Sequence, residues 1–270
     1  MKLFDWLRRP PPPPEILLPQ WQAVLDLPLF VGLNRDEAWR LCVLGERFLS
    51  RKQWVGTEGL VVTDAMRRLL ALTASLPILN LNEDSFDDWR GVILYPAPFV
   101  VRDARPEMLS VTQWGGVGVV HEEDQIQLGQ ARGDGPILLS WPDAERASRQ
   151  LDGFNVILHE IAHKLDMLNG VADGFPPLHR GMQRMRWTEV WQSNYRLMRW
   201  QARMGQLPHW LDAYACSSPA ECFAVLSETF FELPFAVAAD YPALYQQLVL
   251  FYRQDPRARM MGPRRAESTT

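Results

Sequence analysis

Hydrophobic residues recur at helical spacing in the first and last thirds of the chain. Asn34 precedes one amphipathic run, and the stretch from Thr63 to Leu76 forms a second, so each predicts an α-helix with a polar residue at its start. After Pro142 the helical pattern continues nearly to Tyr252. Both ends of the chain are therefore predicted to be helical.

The middle of the chain has a different pattern. Short apolar or β-branched runs, bounded by Gly, Pro and Asp, predict strands at 92–101, 115–122 and 136–141. The order of helices, then strands, then helices favours an α+β fold, mainly helical with a small mixed sheet. We expect a single domain over residues 21–255.

The two ends of the chain have compositions typical of tails. Residues 1–20 contain the run Pro10–Pro14, which predicts an extended linker, and residues 256–270 are basic and predict a flexible tail. The opening letters MKLFDWLRRPPPPP do not form a secretory signal, because Asp5 and two arginines interrupt the apolar run. The other apolar stretches are too short or too broken by proline to span a bilayer.

Composition narrows the class of protein further. The 270 residues carry a formal net charge of -4, which gives no electrostatic basis for direct binding to nucleic acid. The three cysteines cannot all pair, and none lies in a CxxC motif. This usage favours a reducing, cytoplasmic setting.

Candidate chemistry is concentrated in LHEIAHKLDMLNG, which begins at Leu158. At 100° per residue, His163 lies about 40° from His159 on a helix surface, and Asp166 lies about 20° away on the other side. The apolar residues of this segment cluster on the opposite face. Histidines at this spacing can bind one zinc ion, with Glu160 beside the metal as a general base.

A catalytic zinc site requires a third protein ligand. The three-histidine pattern HExxHxxGxxH is excluded, because the chain has Asp166 and Asn169 where glycine and histidine would be needed. Downstream, SPAECFAVLSETFFELP offers Glu221 and Glu228, which share one helix face. Spacing alone leaves open which of the two binds the metal and which accepts a hydrogen bond from a ligand histidine. His179 and His209, both next to prolines or in loop-like stretches, are weaker alternatives.

These motifs resemble the bacterial Mlc titration factor A family of zinc peptidases, relatives of the catalytic domain of anthrax lethal factor. The resemblance rests on HEIAHKLD, DAYA, PAECFAVLSE, ILYPAPFVV, GPILLSW and FYRQDP. It covers about residues 21–256 and implies a zincin-like metallopeptidase domain. It also implies that His159, His163 and Glu221 bind Zn²⁺, the HExxH-plus-glutamate arrangement of gluzincins. By the same resemblance Glu160 is the catalytic glutamate, and Tyr214 lies near the metal and donates to a substrate oxygen.

The expected function is zinc-dependent hydrolysis of a peptide or protein substrate, as an aminopeptidase or an endopeptidase. Zinc-activated water would attack the scissile carbonyl with Glu160 as general base. We expect strand 136–141 to offer a sheet edge to the peptide, and Asp166 to orient a ligand histidine or to bond nearby backbone. The resemblance implies a second role as well, binding and titrating a glucose-responsive transcriptional repressor of the Mlc type. A non-catalytic protein that sequesters the repressor is the alternative, and a structural zinc site is disfavoured because such sites usually have four protein ligands.

Overall fold

The computed structural model describes residues 11–81, 89–97 and 135–262. Ten α-helices and three short strands lie in these ranges. The helices are α1 (Pro14–Leu25), α2 (Arg35–Arg51), α3 (Asp64–Ser75), α4 (Trp141–Arg149), α5 (Val156–Asp166), α6 (Arg184–Met204), α7 (Pro219–Glu232), α8 (Pro234–Asp240), α9 (Pro242–Tyr252) and α10 (Pro256–Met261). The strands are β1 (Gln53–Gly56), β2 (Gly91–Tyr95) and β3 (Ile137–Ser140). The mainly helical character is therefore confirmed.

Helix starts follow the polar residues that the sequence offers. The Asn34 side chain accepts from the backbone N–H of Glu37, whose carboxylate bonds back to Asn34 N–H, so a capping box begins α2. The Thr63 hydroxyl accepts from Met66 N–H at the start of α3. Both helices lie where the hydrophobic pattern predicts them.

The described strands form one parallel sheet in the order β1-β2-β3. Parallel pairing needs a crossover between strands, and α3 lies in the connection from β1 to β2. We expected a mixed sheet, but every pairing among the described strands is parallel. The predicted strand 115–122 lies outside the described residues, and β1 was not predicted, because four residues are too few to show a period.

The boundaries of the folded part also differ from those expected. Helix α1 begins at Pro14, before the expected start at residue 21, and buries Leu17. Proline suits the first helical position, since it lacks only an N–H that has no helical partner there. At the other end, α10 lies in the expected tail, where Asp255 accepts from Ala258 N–H and caps it.

The core joins the sheet to the helices that follow it. Val92 and Leu94 of β2 are buried, as are Ile157, Ile161 and Leu165 of α5. On its other side α5 packs against α7, whose residues Glu221 to Glu232 are all buried. Helix α5 is thus held between the sheet side of the core and α7. No helix of the described residues is long and apolar enough to cross a membrane.

Candidate metal centre

Helix α5 carries the HEIAH motif, and its start is defined by Asn155. The Asn155 side-chain oxygen accepts from the Leu158 backbone N–H at 3.1 Å. This satisfies one of the first-turn donors that lack a helical partner. The helix passes into a 3-10 turn at Met167–Asn169 and ends at Gly170, whose φ is 134°. His159 is buried although it lies opposite the apolar stripe, because α7 covers that face.

Helix α7 brings a carboxylate to this face from its first turn. The Ser218 hydroxyl accepts from Glu221 N–H at 3.1 Å, and Pro219 occupies the first helical position. Glu221 therefore lies where the backbone N–H groups of a helix favour negative charge. A polar cap and a proline place its carboxylate against α5.

Three side chains converge between the two helices. His159 Nε2 lies 3.1 Å from Glu221 Oε2, and His163 Nε2 lies 3.3 Å from the same oxygen. The two Nε2 atoms are 3.1 Å apart. The possible ligand atoms of these residues all lie within 4.8 Å of one another. Two imidazole nitrogens and one carboxylate oxygen are a donor set that suits Zn²⁺, so the residues present fit the metal that the sequence predicts.

The second ring nitrogen of His159 faces a different carboxylate. His159 Nδ1 lies 2.7 Å from Glu228 Oε1, and both side chains are buried. Loss of the Nε2 proton on metal binding would leave an N–H at Nδ1 that donates to Glu228 and an Nε2 lone pair available to the metal. Metal-binding histidines in proteins usually have such a partner. The two glutamates that spacing could not separate thus lie on opposite edges of one imidazole.

Burial and the neighbouring charged groups have opposite effects on the pKa values of His159 and Glu221. Burial alone would lower the pKa of His159, but the charge of Glu228 and the hydrogen bonds to Glu221 and Glu228 outweigh it and raise that pKa. Burial would raise the pKa of Glu221, yet hydrogen bonds from both histidines lower it well below its usual range. The buried Glu221 carboxylate is therefore held ionised, as a metal ligand must be.

Glu160 and Tyr214 lie beside the convergent group. Glu160 is half-buried on α5, and burial raises the pKa of its carboxyl although His163, His159 and Lys164 oppose the shift. The half-buried Tyr214 ring stacks beside His159, with centroids 6.3 Å apart and planes 27° apart. Its backbone N–H donates to Asp212 Oδ1. Asp212 directly precedes the 3-10 turn Ala213–Cys216, which contains Tyr214 and leads to α7.

The remaining candidates occupy other places. Asp166 is buried and accepts from Gly174 N–H at 2.7 Å, so it bonds nearby backbone, one of its two expected roles. His179 Nε2 lies 2.7 Å from the Phe251 carbonyl oxygen, and His209 is exposed. In the described residues neither histidine belongs to the convergent group. The two histidines considered as the third ligand thus do not reach it.

The sequence pattern missed two polar residues that the structure ties to this group. Asn155 donates through Nδ2 to Glu232 Oε1 at 2.8 Å and through its backbone N–H to Glu228. At 100° per residue, Glu232 lies within about 20° of Glu221 on the surface of α7, so its spacing was an available signal. The contacts with Asn155 depend on the packing of α5 against α7, which the spacing does not show.

Comparisons with known proteins show the family to which this chain belongs. A family model described as "Glucose-regulated metallo-peptidase M90" matches residues 7–253. Proteins named Mlc titration factor A from Yersinia pestis (strain Pestoides F) and Yersinia pseudotuberculosis (serotype O:1b) are each 38% identical over 264 residues, covering 96% of this chain and 93% of the relative. The chain therefore belongs to the M90 family of glucose-regulated metallopeptidases, which includes the Mlc titration factors A.

Proposed function

We propose that this protein is a zinc-dependent peptidase whose metal is held by His159, His163 and Glu221. The observation that carries the proposal is the approach of Glu221 Oε2 to both Nε2 atoms, at 3.1 and 3.3 Å. Three protein ligands are the number usual for catalytic zinc sites, whereas structural zinc sites usually have four. When bound, zinc would supply Lewis acidity toward water and toward a peptide carbonyl.

The chain's own residues would handle the protons of the reaction. Glu160, beside the ligands on α5, would accept a proton from water and pass it to the leaving amine. In the metal-free protein, burial raises the pKa of its carboxyl, so that this group takes up a proton more readily than an exposed glutamate. The Tyr214 hydroxyl would donate a hydrogen bond to the substrate oxygen on which negative charge develops, a role that its position beside His159 supports.

The edge of β3 is our candidate for binding the peptide backbone. Strand β3 lies at one end of the order formed by the described strands. The Lys164 ammonium group of α5 donates to the Gly135 carbonyl at 2.9 Å, just before β3. The motif helix and this strand are thus directly connected, and a peptide that adds to the strand would run close to α5.

The test is cleavage of a peptide library by zinc-loaded protein, with products identified by mass spectrometry. We expect cuts by the wild type that disappear in Glu160→Gln and return when zinc is restored to chelated wild type. Glu145→Gln is the matched control, because Glu145 pairs with Arg149 on the exposed surface of α4. Equal cutting by Glu160→Gln and wild type would refute the role of Glu160.

A second candidate function is the titration of a transcriptional repressor. The observation that favours it is the name Mlc titration factor A of relatives that match 96% of this chain. The Glu160→Gln variant separates the two functions, since sequestration does not require proton transfer. Binding of a purified Mlc-type repressor by both wild type and variant would support this function, and absence of binding by both would exclude it.

A further inference from the structure

Three buried glutamates lie along one face of α7. Glu221 and Glu228 contact the histidines of the candidate metal centre, whereas the contacts of Glu232 are with residues that precede α5. The Glu232 oxygens accept from Asn155 Nδ2 at 2.8 Å and from Gly153 N–H at 2.9 Å. A buried carboxylate is tolerated when its oxygens are hydrogen-bonded in this way, so Glu232 and this loop stabilise each other.

Asn155 connects Glu232 to the metal centre through four hydrogen bonds. Its Nδ2 donates to Glu232, and its backbone N–H donates to Glu228 Oε2. Its Oδ1 accepts from Leu158 N–H at 3.1 Å, and its carbonyl accepts from His159 N–H at 2.9 Å. Asn155 is 0% exposed, so water cannot replace a lost partner without a rearrangement. Asn155 therefore positions both the first turn of α5 and Glu228, the carboxylate that faces His159 Nδ1.

The loop that precedes α5 packs closely against α7 at Gly153. Gly153 has φ of 89°, and a Cβ atom there would lie 2.9 Å from Leu233 Cδ1 and 3.2 Å from Thr229 Cγ2. The absence of a side chain lets the Gly153 N–H reach the Glu232 carboxylate. The loop thus lies directly against α7, on the same surface that carries Glu228.

We propose that Asn155 and Glu232 are positioning residues of the candidate metal centre. Glu232 holds the Asn155 amide, and Asn155 holds both the Glu228 carboxylate and the turn that carries His159. This inference rests on the proposed metal site, but it concerns zinc affinity and not hydrolysis. A displaced Asn155 would turn the His159 ring away from its ligand geometry and thereby weaken metal binding.

The test exchanges the donor and acceptor of the Asn155–Glu232 pair. Asn155→Asp keeps the helix cap but sets a carboxylate against Glu232. Glu232→Gln keeps the shape of the side chain. Its NH₂ group, however, must face one of two other donors, the Gly153 N–H or the Asn155 amide. The double variant restores the pairing, since the amide introduced at position 232 would donate to the carboxylate introduced at position 155 while its oxygen accepts from Gly153 N–H. Asn34→Asp, the same change at the cap of α2, is the matched control.

Zinc dissociation constants would be measured by chelator competition at pH 9. This pH lies above the pKa of about 8 to which burial raises the Glu232 carboxyl, so that Glu232 acts as an acceptor. Far-UV circular dichroism and urea denaturation of the zinc-free variants would confirm that each is folded under the assay conditions. If Asn155→Asp does not fold, Glu232→Gln and the double variant still decide the question.

We expect Asn155→Asp to weaken zinc binding by roughly ten- to a hundredfold, and Glu232→Gln by less. The double variant should return to within roughly threefold of wild type, because the two changes compensate each other. Asn34→Asp should bind zinc as wild type does. Wild-type affinity in both single variants, or a double variant weaker than either, would overturn the proposal. Zinc binding without peptide cleavage would instead refute the proposed enzyme and leave the positioning result intact.

Discussion

Glu228 Oε1 lies 2.7 Å from Nδ1 of His159, on the side of the ring opposite Glu221. The imidazole thus bridges two carboxylates, one that faces His163 and one that does not. Among the residues that the structure describes, a second histidine lies beside the Nε2 side alone, so the metal is expected there. Glu228 is then the partner that fixes the orientation of the ring.

The two glutamates are therefore expected to differ in their effects on zinc. Glu221→Ala removes a ligand and should abolish stoichiometric binding, whereas Glu228→Gln should weaken binding by roughly ten- to a hundredfold. Equilibrium dialysis with metal analysis measures both. Normal zinc binding by Glu221→Ala together with loss of zinc in Glu228→Gln would reverse the assignment of ligand and partner.

Loss of the Tyr214 hydroxyl should affect turnover and not metal binding. We propose that its hydroxyl stabilises charge on a substrate oxygen, a role suggested by the stacking of its ring beside His159. Tyr214→Phe should lower kcat by about a hundredfold or more, with zinc affinity and KM little changed. Tyr195→Phe is the control, since Tyr195 donates to the Cys216 carbonyl in the same region. A kcat equal to that of wild type would remove Tyr214 from the mechanism.

The carboxyl of Glu232 should make the stability of the zinc-free protein depend on pH. Burial raises its pKa from 4.5 to about 8, and the charges of Glu228 and Asp152 act in the same direction against two hydrogen bonds. Folding thus favours the protonated form. The contribution of the Glu232 carboxyl to the free energy of unfolding is full below pH 4.5 and is lost as the pH rises to about 8.

Urea denaturation of wild type and Glu232→Gln between pH 5 and pH 9 tests this sign. The free energy of unfolding of wild type should fall relative to that of the variant, by on the order of a few kcal/mol at most. Asp166, whose pKa burial raises to about 6, titrates in both proteins and cancels in the comparison. Parallel curves would show that Glu232 keeps an ordinary pKa.

Gly174 should be intolerant of a side chain because of its contact with the start of α7. Its φ is 76°, and a Cβ atom would lie 2.4 Å from the Pro219 carbonyl oxygen. Gly174→Ala should lower the free energy of unfolding by about 1–3 kcal/mol or more and also weaken zinc binding, since Pro219 precedes Glu221 closely. Gly205→Ala separates the two causes, because Gly205 has a similar φ of 65° but no atom within 4 Å of the added Cβ. Equal losses in both variants would show that backbone strain alone acts.

The parts of the site that sequence could predict are those contained in one helix. His159 and His163 share a face of α5 because of helical periodicity alone. The choice between Glu221 and Glu228 could not be made from spacing, since both lie on one face of α7. It depends on which turn of α7 packs against which edge of His159, a property of tertiary packing.

The fold shows the same division. Periodicity placed α2, α3 and the later helices, but the short strand β1 gave no period, and its role is visible only in its pairing with β2. The run of prolines predicted an extended tail, yet its last member, Pro14, is the first residue of α1. Both differences arise because the interactions that stabilise these elements come from distant parts of the chain.

The most direct test of the central claim is the rate of cleavage of one library-derived peptide, measured with the zinc content of the same sample. We expect wild type to hold about one zinc per chain and to cleave. Glu160→Gln should hold the same zinc and cleave at least about a hundredfold more slowly. Comparable cleavage by the variant, or by wild type freed of zinc, would contradict the account.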